Sequence, residues 1–296
     1  MLDFRVDTFL TVCESMNFTQ AAQILHITQP AVSQHIHYLE NRYGVKLFTY
    51  QNKHLDLTPE GKLLRDAAMT MKHDEFHLKE QILQKRERKL RFGATLTIGE
   101  FVMPSLLIRY LHSHPETAVD LTVANTQKLL KRLDRGLTDF ALIEGFYDRT
   151  EYDGLPYREE RYIAVCASCM SGLSSSPTLE ELFSAPLILR EPGSGTREIL
   201  ERFLESRNLT LQSFPKRMEI NNIHAIKSLV EAGCGFTFLY ESAVREELAA
   251  NRLAQIPLAD FDLRHDFTFV WRKNSMFAPS YREMFERLLG ESGLPV

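Results

Sequence analysis

The sequence is poor in the features that mark exported, membrane and disulfide-stapled proteins. Its 296 residues include only four cysteines, which is too few for a disulfide framework and indicates a reducing compartment. No apolar run is long enough to span a bilayer, and the first residues lack the apolar core of a signal peptide. We therefore expect a cytoplasmic protein without a membrane partner, long enough for two or three folding units.

Signatures of enzymes are also missing. The sequence contains no Gly-x-Ser-x-Gly, Walker A or HExxH pattern, and no paired acid and base or activated nucleophile stands out. Cys166 and Cys169 form a single CxxC, which lacks two further ligands for a metal site, although a disulfide switch stays open. We expect neither an enzyme nor a bound metal or other cofactor.

The net charge of −4 conceals an uneven distribution. Residues 1–91 carry 13 Lys and Arg against 11 Asp and Glu, whereas the remainder carries 22 against 28. Six of the ten histidines also lie in the first part. Because the basic bias is mild, nucleic-acid binding would need two copies of the chain or strong local contacts.

The most informative pattern lies in residues 18–61. A first short helix is predicted from about Thr19 to His26, where a pair of alanines allows a second helix to cross closely. The second helix starts after Thr28, a good N-cap, and has Pro30 in its first turn. Its inward stripe is Val32, Ile36 and Leu39, and its outward face is Gln29, Ser33, Gln34 and His37. Short polar side chains near a helix N-terminus are typical of a DNA recognition helix.

The same segment resembles the LysR-type family of bacterial transcriptional regulators. The residues that carry the resemblance are Ala21-Ala22, Thr28-Gln29-Pro30-Ala31-Val32-Ser33, Ile36, Leu39-Glu40, Gly44-Val45, Leu47-Phe48 and Leu57-Thr58-Pro59-Glu60-Gly61. The resemblance implies an N-terminal winged helix-turn-helix, a long linker helix and a two-lobed α/β effector domain like a periplasmic solute-binding protein. It also implies dimers on double-stranded DNA, mostly assembled further into tetramers. A helix pair that merely packs is the alternative, and it leaves the polar positions unexplained.

A short β-hairpin, the wing, is predicted after the recognition helix. Tyr50 replaces the arginine that the family usually has there; its hydroxyl can still hydrogen-bond a phosphate, but it brings no charge. Lys53 at the tip of the hairpin could reach a phosphate. We expect DNA to be contacted by Thr28, Gln29, Pro30, Ser33, Gln34, His37, Tyr50 and Lys53.

A long helix is predicted to link the wing to the rest of the chain. Residues at 4-3-4-3-4 spacing form a heptad repeat of apolar positions, and only Glu75 among them is charged. They are Leu64, Ala68, Met71, Glu75, Leu78 and Ile82. Pairing with a second copy explains this heptad seam, and packing on the chain's own C-terminal domain is the alternative. The expected domains are 1–58 for the winged helix-turn-helix, 59–89 for the linker and dimerisation helix, and 90–296 for the effector domain.

From residue 90 onward, short apolar runs alternate with helical stretches, which indicates an α/β fold. The predicted strands include Phe140–Ile143 and Tyr162–Cys166, and the first predicted helix covers about 99–113. The resemblance divides this domain into lobe one, 90–162 with 268–296, and lobe two, 163–267. Ligands of such domains bind where strands end and helices begin. On these grounds we expect effector contacts from Thr95, Thr97, Thr126, Glu144, Ser194, Gly195, Thr196 and Asn222.

The segment Arg190–Arg197 favours an anion, because free backbone N–H groups, two hydroxyls and a helix N-terminus converge there. A capped turn is the alternative for this segment, and helix capping is the alternative for Thr97. Glu144 would suit a ligand amine or an arginine partner, or it is a solvated loop residue. The sequence thus predicts a DNA-binding regulator controlled by a small anionic effector of unknown identity. The competing class is an enzyme or solute-binding protein whose N-terminal region only dimerises.

Overall fold

A computed structural model describes residues 3–51, 54–83, 89–169 and 175–289. The chain forms two compact units. The N-terminal unit comprises Met1–Lys85 together with two short returning segments, Asp134–Leu137 and Arg272–Ala278. The C-terminal unit comprises Arg86–Leu133, Thr138–Trp271 and Pro279–Val296.

Helices and one β-hairpin build the N-terminal unit. Its described elements are α1 (Phe4–Ser15), α2 (Phe18–Leu25), α3 (Gln29–Tyr43), β1 (Phe48–Gln51), β2 (His54–Leu57) and α4 (Pro59–Leu83). Strands β1 and β2 pair antiparallel, with Phe48 opposite Leu57, which confirms the predicted wing. Helix α1 is absent from the prediction made from the sequence.

The two helices of the helix-turn-helix start and stop at local signals. The side chain of Asn17 accepts hydrogen bonds from the backbone of Thr19 and Gln20, and that of Thr28 accepts one from Ala31. His26 and Gly44 take the left-handed conformation that ends α2 and α3. The predicted inward stripe of α3 is buried in one apolar core with residues of α1 and α2. The predicted helix pair is therefore confirmed.

A buried carboxylate fixes the turn between α3 and the wing. Glu40 accepts hydrogen bonds from the backbone of Leu47 at 3.0 Å and from Lys46 Nζ at 2.6 Å. The hydroxyl of Thr58 donates to the carbonyl oxygen of Lys46 and accepts from the backbone of Gly61, so it also caps α4. Helix α4 approaches this turn so closely that a Cβ at Gly61 would lie 2.1 Å from the Leu47 carbonyl oxygen. The Leu-Thr-Pro-Glu-Gly motif thus has a structural role.

Only part of the predicted heptad seam is free in α4. Leu64 and Ala68 pack into the core of the winged domain, so they are not available to a second copy. Met71, Leu78 and Ile82 are exposed by 55%, 40% and 71%. The apolar face that a second copy could cover is therefore restricted to the later turns of the helix.

Another face of α4 contacts the returning segments. Asp74 accepts hydrogen bonds from the Ser275 hydroxyl at 2.6 Å and from the Met276 backbone at 2.8 Å. The rings of His77 and Phe277 meet edge to face at 4.1 Å. Packing on segments from its own later sequence therefore accounts for one face of α4. Pairing with a second copy stays a prediction, and it concerns the apolar face that is left exposed.

The C-terminal unit is an α/β domain, as predicted. Its strands are β3 (Lys89–Ala94), β4 (Ala118–Val123), β5 (Phe140–Ile143), β6 (Tyr152–Ala167), β7 (Leu187–Leu189), β8 (Arg217–Glu219), β9 (Thr237–Tyr240), β10 (Leu253–Ile256) and β11 (Leu263–Arg272). Its helices are α5 (Leu96–Phe101), α6 (Met103–Ser113), α7 (Thr126–Asp134), α8 (Gly195–Glu205), α9 (Ile223–Glu231), α10 (Glu241–Ala249) and α11 (Ala278–Leu289). Two 3₁₀ turns lie at Glu180–Leu182 and Leu211–Ser213.

One sheet of seven described strands runs in the order β10-β6-β11-β5-β3-β4, with β9 paired to β6. Strand β3 lies between β4 and β5 and is parallel to both. Strands β7 and β8 form a separate parallel pair. Both long strands, β6 and β11, continue across the boundary drawn between the lobes, so the chain passes it twice. The lobe boundaries themselves stay a prediction.

Two local predictions were wrong, and one strand was missed. The sequence predicted a strand only at Tyr162–Cys166, whereas β6 already begins at Tyr152. It predicted one helix over 99–113, whereas α5 and α6 are separated at Val102, just before Pro104. It did not predict β10, which pairs antiparallel with the end of β6.

Candidate effector site and DNA-binding surface

Three neighbouring parallel strands end at one edge of the main sheet. Thr95 follows β3, Asn125 and Thr126 follow β4, and Glu144 follows β5. Because β3 pairs with both neighbours in parallel, the carboxyl ends of the three strands meet there. Side chains from residues far apart in sequence are thus brought together, as predicted for a ligand site in an α/β domain.

A second wall of the site comes from the segment after β7. This segment turns at Gly193 and begins α8 at Gly195, with Ser194 in the N-cap position. The Ser194 side chain makes no cap hydrogen bond, so its hydroxyl is not used by the helix. A Cβ at Gly195 would lie 2.7 Å from the Cα of Gly145, so the two walls touch at the backbone.

Glu144 lies at the centre of this group and is only 1% exposed. Its carboxylate accepts hydrogen bonds from the hydroxyls of Thr196 at 2.5 Å and Thr95 at 3.1 Å. Burial raises the pKa of Glu144, while the Thr196 hydroxyl, the nearby Arg190 charge and the Thr97 and Thr95 hydroxyls work against that rise. The alternative that Glu144 is a solvated loop residue is therefore wrong.

Several hydrogen-bond donors of the site are buried and unused. The Thr126 hydroxyl, the Ser194 hydroxyl and the Nη1 nitrogen of Arg190 have no hydrogen-bond partner among the described residues. The three residues are 3%, 2% and 2% exposed. The Thr97 hydroxyl, also buried, makes no hydrogen bond of ordinary geometry, although it lies near enough to Glu144 to favour the carboxylate. Since buried polar groups are almost always paired, a bound ligand or water is expected here.

The structure adds residues that the sequence did not single out. The phenol of Tyr162 donates to the Thr196 carbonyl oxygen at 2.8 Å, and that of Tyr240 donates to the Glu144 carbonyl oxygen at 3.2 Å. Asn125 donates from its amide to Glu191 at 3.1 Å. Both tyrosines lie within apolar strands and look like core residues in the sequence, so no sequence signal could have identified them.

Not every predicted contact joins the group. Asn222 is exposed and accepts a hydrogen bond from the backbone of Ala225, so it caps α9. Thr97 is not a helix cap, because Thr95 holds the N-cap position of α5. Arg197, at the end of the Arg190–Arg197 segment, is paired with Glu201 and Glu219. Arg190 is the arginine that lies near Glu144.

The outward face of α3 is accessible, as its polar pattern predicts. Thr28, Gln29, Pro30, Gln34 and His37 are exposed, and Ser33 is half-buried. Gln29 Nε2 donates to the Ser33 hydroxyl at 2.9 Å, so these two side chains are positioned together. On the wing, Tyr50 is 73% exposed. Lys53 lies outside the described residues.

The two cysteines of the CxxC motif lie at the end of β6 and just after it. Burial raises the pKa of the Cys166 thiol, and Cys169 is exposed at the end of the same segment. Within the described part of the chain, no cluster of three or more His, Cys, Asp or Glu side chains could hold a metal ion. None of the described helices has the length and apolar character needed to cross a membrane.

Two family models match the chain and together cover nearly all of it. The bacterial regulatory helix-turn-helix of the lysR family matches residues 5–62, and the LysR substrate binding domain matches residues 83–292. The chain therefore belongs to the LysR family of transcriptional regulators. It is a DNA-binding regulator with an effector-binding domain.

Relatives of this chain match it over most of their own length. The regulator YeiE of Escherichia coli K12 is 34% identical over 85% of this chain and 85% of its own. The regulator CysL of Bacillus subtilis 168 is 30% identical over 89% of this chain and 88% of its own. The CcmR regulatory domain of Synechocystis PCC6803, solved in complex with 2-PG, has a TM-score of 0.61 at 18% identity and covers 69% of this chain and 97% of its own. The last likeness concerns the fold alone.

Proposed function

We propose that this regulator reads a specific DNA sequence through the outward face of α3 and responds to a small anionic effector held between its two lobes. DNA contacts would come from the exposed start of α3, with Tyr50 and Lys53 supplementing them from the wing. The cytoplasm, where the DNA lies, is the expected compartment. The observation that carries the effector part is the group of unused, buried donors around Glu144.

DNA recognition by two copies of the chain fits the charge and the size of this surface. One recognition helix reads only a few base pairs, so a dimer on two half-sites is expected. The mildly basic N-terminal part also needs two copies to gain affinity for phosphate. Met71, Leu78 and Ile82 supply an exposed apolar face for that pairing. Assembly of two dimers into a tetramer follows from the resemblance to the family.

Replacing Ser33 or Gln29 by alanine is expected to weaken specific DNA binding without unfolding the domain. Loss of a base contact costs roughly 1–3 kcal/mol. Because the two side chains hydrogen-bond to each other, the double variant should lose less than the sum of the single losses. A gel shift with the DNA upstream of its own gene, beside random DNA, measures the effect.

The matched control for this experiment is His112→Ala, an exposed position on α6. It should bind the upstream DNA as the parent does. Unchanged discrimination between upstream and random DNA in both α3 variants would show that another surface reads the sequence.

An anionic ligand is supported by the kind of groups left unpaired. The unused groups are a guanidinium nitrogen and hydroxyls that can donate, and Thr126 and Gly195 each begin a helix whose N-terminus favours negative charge. The CcmR regulatory domain in complex with 2-PG indicates that a domain of this fold can hold a small molecule. A capped turn at Gly193–Gly195 would not explain the unused donors.

Ser194→Ala is expected to weaken the binding of a small oxyanion ten- to hundredfold, and Thr196→Val should weaken it by leaving Glu144 without the hydroxyl that donates to it. Loss of one hydrogen bond to a charged group costs roughly 1.5–3 kcal/mol, which is a change of that size in affinity. Thr97→Val on the other wall should act alike, because a ligand between two lobes needs both. Sulfate, nitrate and acetate are to be screened by thermal shift and then by calorimetry.

Ser206→Ala, an exposed position directly after α8, is the control and should bind as the parent does. DNA binding without effector should survive in all four variants, because the DNA contacts lie in a separate domain. Parental affinity for the oxyanion in the three site variants would show that the Gly193–Gly195 segment is only a turn before α8 and does not bind the ligand.

A further inference from the structure

The charge of the proposed effector site is not balanced. Arg190 and Glu191 form a two-point ion pair, with Nε to Oε2 at 2.9 Å and Nη2 to Oε1 at 3.2 Å. That pair neutralises Arg190 and leaves only its Nη1 nitrogen unused. Glu144 is then a buried carboxylate without a full counter-charge of its own. A bound anion would place a second negative charge beside it, where water screens poorly.

The other groups around Glu144 do not supply the missing positive charge. Its direct partners among the described residues are neutral hydroxyls, on Thr95 and Thr196. Burial holds the pKa of the Tyr162 and Tyr240 phenols well above the usual range, so both stay neutral. The cation of Arg197 is already engaged by two glutamates.

More distant charges do not supply it either. Glu201 acts on the phenol of Tyr162 and Glu160 on that of Tyr240, and these two carboxylates are themselves paired with Arg197 and Arg158. Near α7, Asn125 is neutral and donates to Glu191. An anion entering this site therefore meets suitable donors and, at the same time, an uncompensated carboxylate.

We infer that a small oxyanion binds at this site together with one proton, which neutralises Glu144 and lets its carboxyl group donate a hydrogen bond to the anion. The inference rests on the proposed effector function. The proton comes from the solvent and is released when the anion leaves. Burial already raises the pKa of Glu144, and a neighbouring anion raises it further.

The sign of the pH dependence follows from this linkage. Above the pKa of Glu144 in the free protein, binding the anion requires proton uptake, so affinity falls as the pH rises. The limiting slope is about tenfold per pH unit for one proton. Glutamine at position 144 mimics the neutral carboxyl group, so Glu144→Gln should bind the anion without taking up a proton.

The test uses the full chain with sulfate and nitrate as probes, because both ions keep their charge from about pH 5.5 to 8.5. Calorimetry is run at both pH values and in two buffers of different ionisation enthalpy. The parent should bind at least tenfold more tightly at the lower pH and take up about one proton per anion. Glu144→Gln should bind equally at both pH values, at least tenfold more tightly than the parent at the higher one, with no proton uptake.

The control is Glu205→Gln, an exposed position at the end of α8, which should behave as the parent does. Equal parental affinity at the two pH values, or proton uptake unchanged in Glu144→Gln, overturns the inference. So does weaker binding by Glu144→Gln, which would mean that the carboxylate accepts from the ligand. Absence of binding by both ions at both pH values overturns it as well.

Proton uptake by the parent is measured without any substitution, so a poorly folded Glu144→Gln leaves the inference testable. Failure of the inference can also be separated from failure of the proposed effector site. Binding that is independent of pH yet lost in Ser194→Ala contradicts proton uptake and keeps the site. Binding that survives Ser194→Ala removes the site itself.

Discussion

A variant carrying Met71→Asp and Leu78→Asp is expected to lose self-association and, with it, most of its affinity for the operator. Both side chains lie on the apolar face of α4 that the chain itself leaves exposed. Burying an unpaired carboxylate costs several kcal/mol, and a symmetric contact would bury each of them twice. At roughly 1.4 kcal/mol per tenfold change, self-association should weaken more than a hundredfold. Light scattering and gel shifts on one sample measure both effects.

The conservative double variant Met71→Leu with Leu78→Met is the control, because such exchanges keep volume and apolar character. It should retain the mass of the parent. If the aspartate variant also retains that mass, the exposed face of α4 is not the contact between copies, and the apolar residues there need another explanation.

Gly61→Ala is expected to destabilise the winged domain although alanine is the better helix former. The added methyl group would lie 2.1 Å from the carbonyl oxygen of Leu47, and a backbone atom cannot move aside as a flexible side chain can. Overpacking of this kind typically costs 1–3 kcal/mol, or more, against a gain of about 1 kcal/mol in helix propensity. The turn that Glu40 and Thr58 hold in place should be displaced, and operator affinity should fall with stability.

Urea unfolding of the full chain, followed by fluorescence and by a gel shift, measures this loss. Glu60→Ala, at the exposed neighbouring position, is the matched control and should stay close to the parent. A Gly61→Ala protein as stable as the parent would contradict the close approach of α4 to the turn.

The parts of the fold that depend on local chemistry were predictable from the sequence. An N-cap residue such as Thr28, followed by a proline in the first turn such as Pro30, is a local signal for the start of a helix. Helix α3 begins at Gln29, directly after this cap. The short apolar run Phe140–Ile143 was predicted as a strand and forms β5 over the same residues. The linker helix was predicted from its apolar repeat, which is likewise a property of one segment, and it forms α4.

The parts decided by distant partners were not predictable in the same way. The first half of β6 contains Gly154, Pro156 and a run of charged residues, which is typical of a loop; pairing with β11 makes it a strand. Leu64 and Ala68 fit the heptad as well as Met71 and Leu78 do. The sequence does not show that the core of the winged domain covers the first pair and leaves the second pair exposed.

The residues of the candidate effector site were likewise predictable where their role is local and not where it depends on distant partners. The sequence identified residues at the ends of strands, because that position is a property of each segment. Whether Glu144 is solvated depends on Thr196, which is 52 residues away in sequence and donates to it. The roles of Tyr162, Tyr240 and Arg190 likewise arise only when the segments come together.

The returning segments have a consequence for how the protein should be handled. A fragment that starts after α4 would keep residues 272–278 but lose the helix on which they pack. The Ser275 hydroxyl and the Met276 backbone would lose Asp74, and the nearly buried ring of Phe277 would lose its contact with His77. Such a fragment would expose apolar surface and hydrogen-bonding groups without their partners, both of which the whole chain keeps covered. Ligand affinities and molecular masses should therefore be measured on the intact chain.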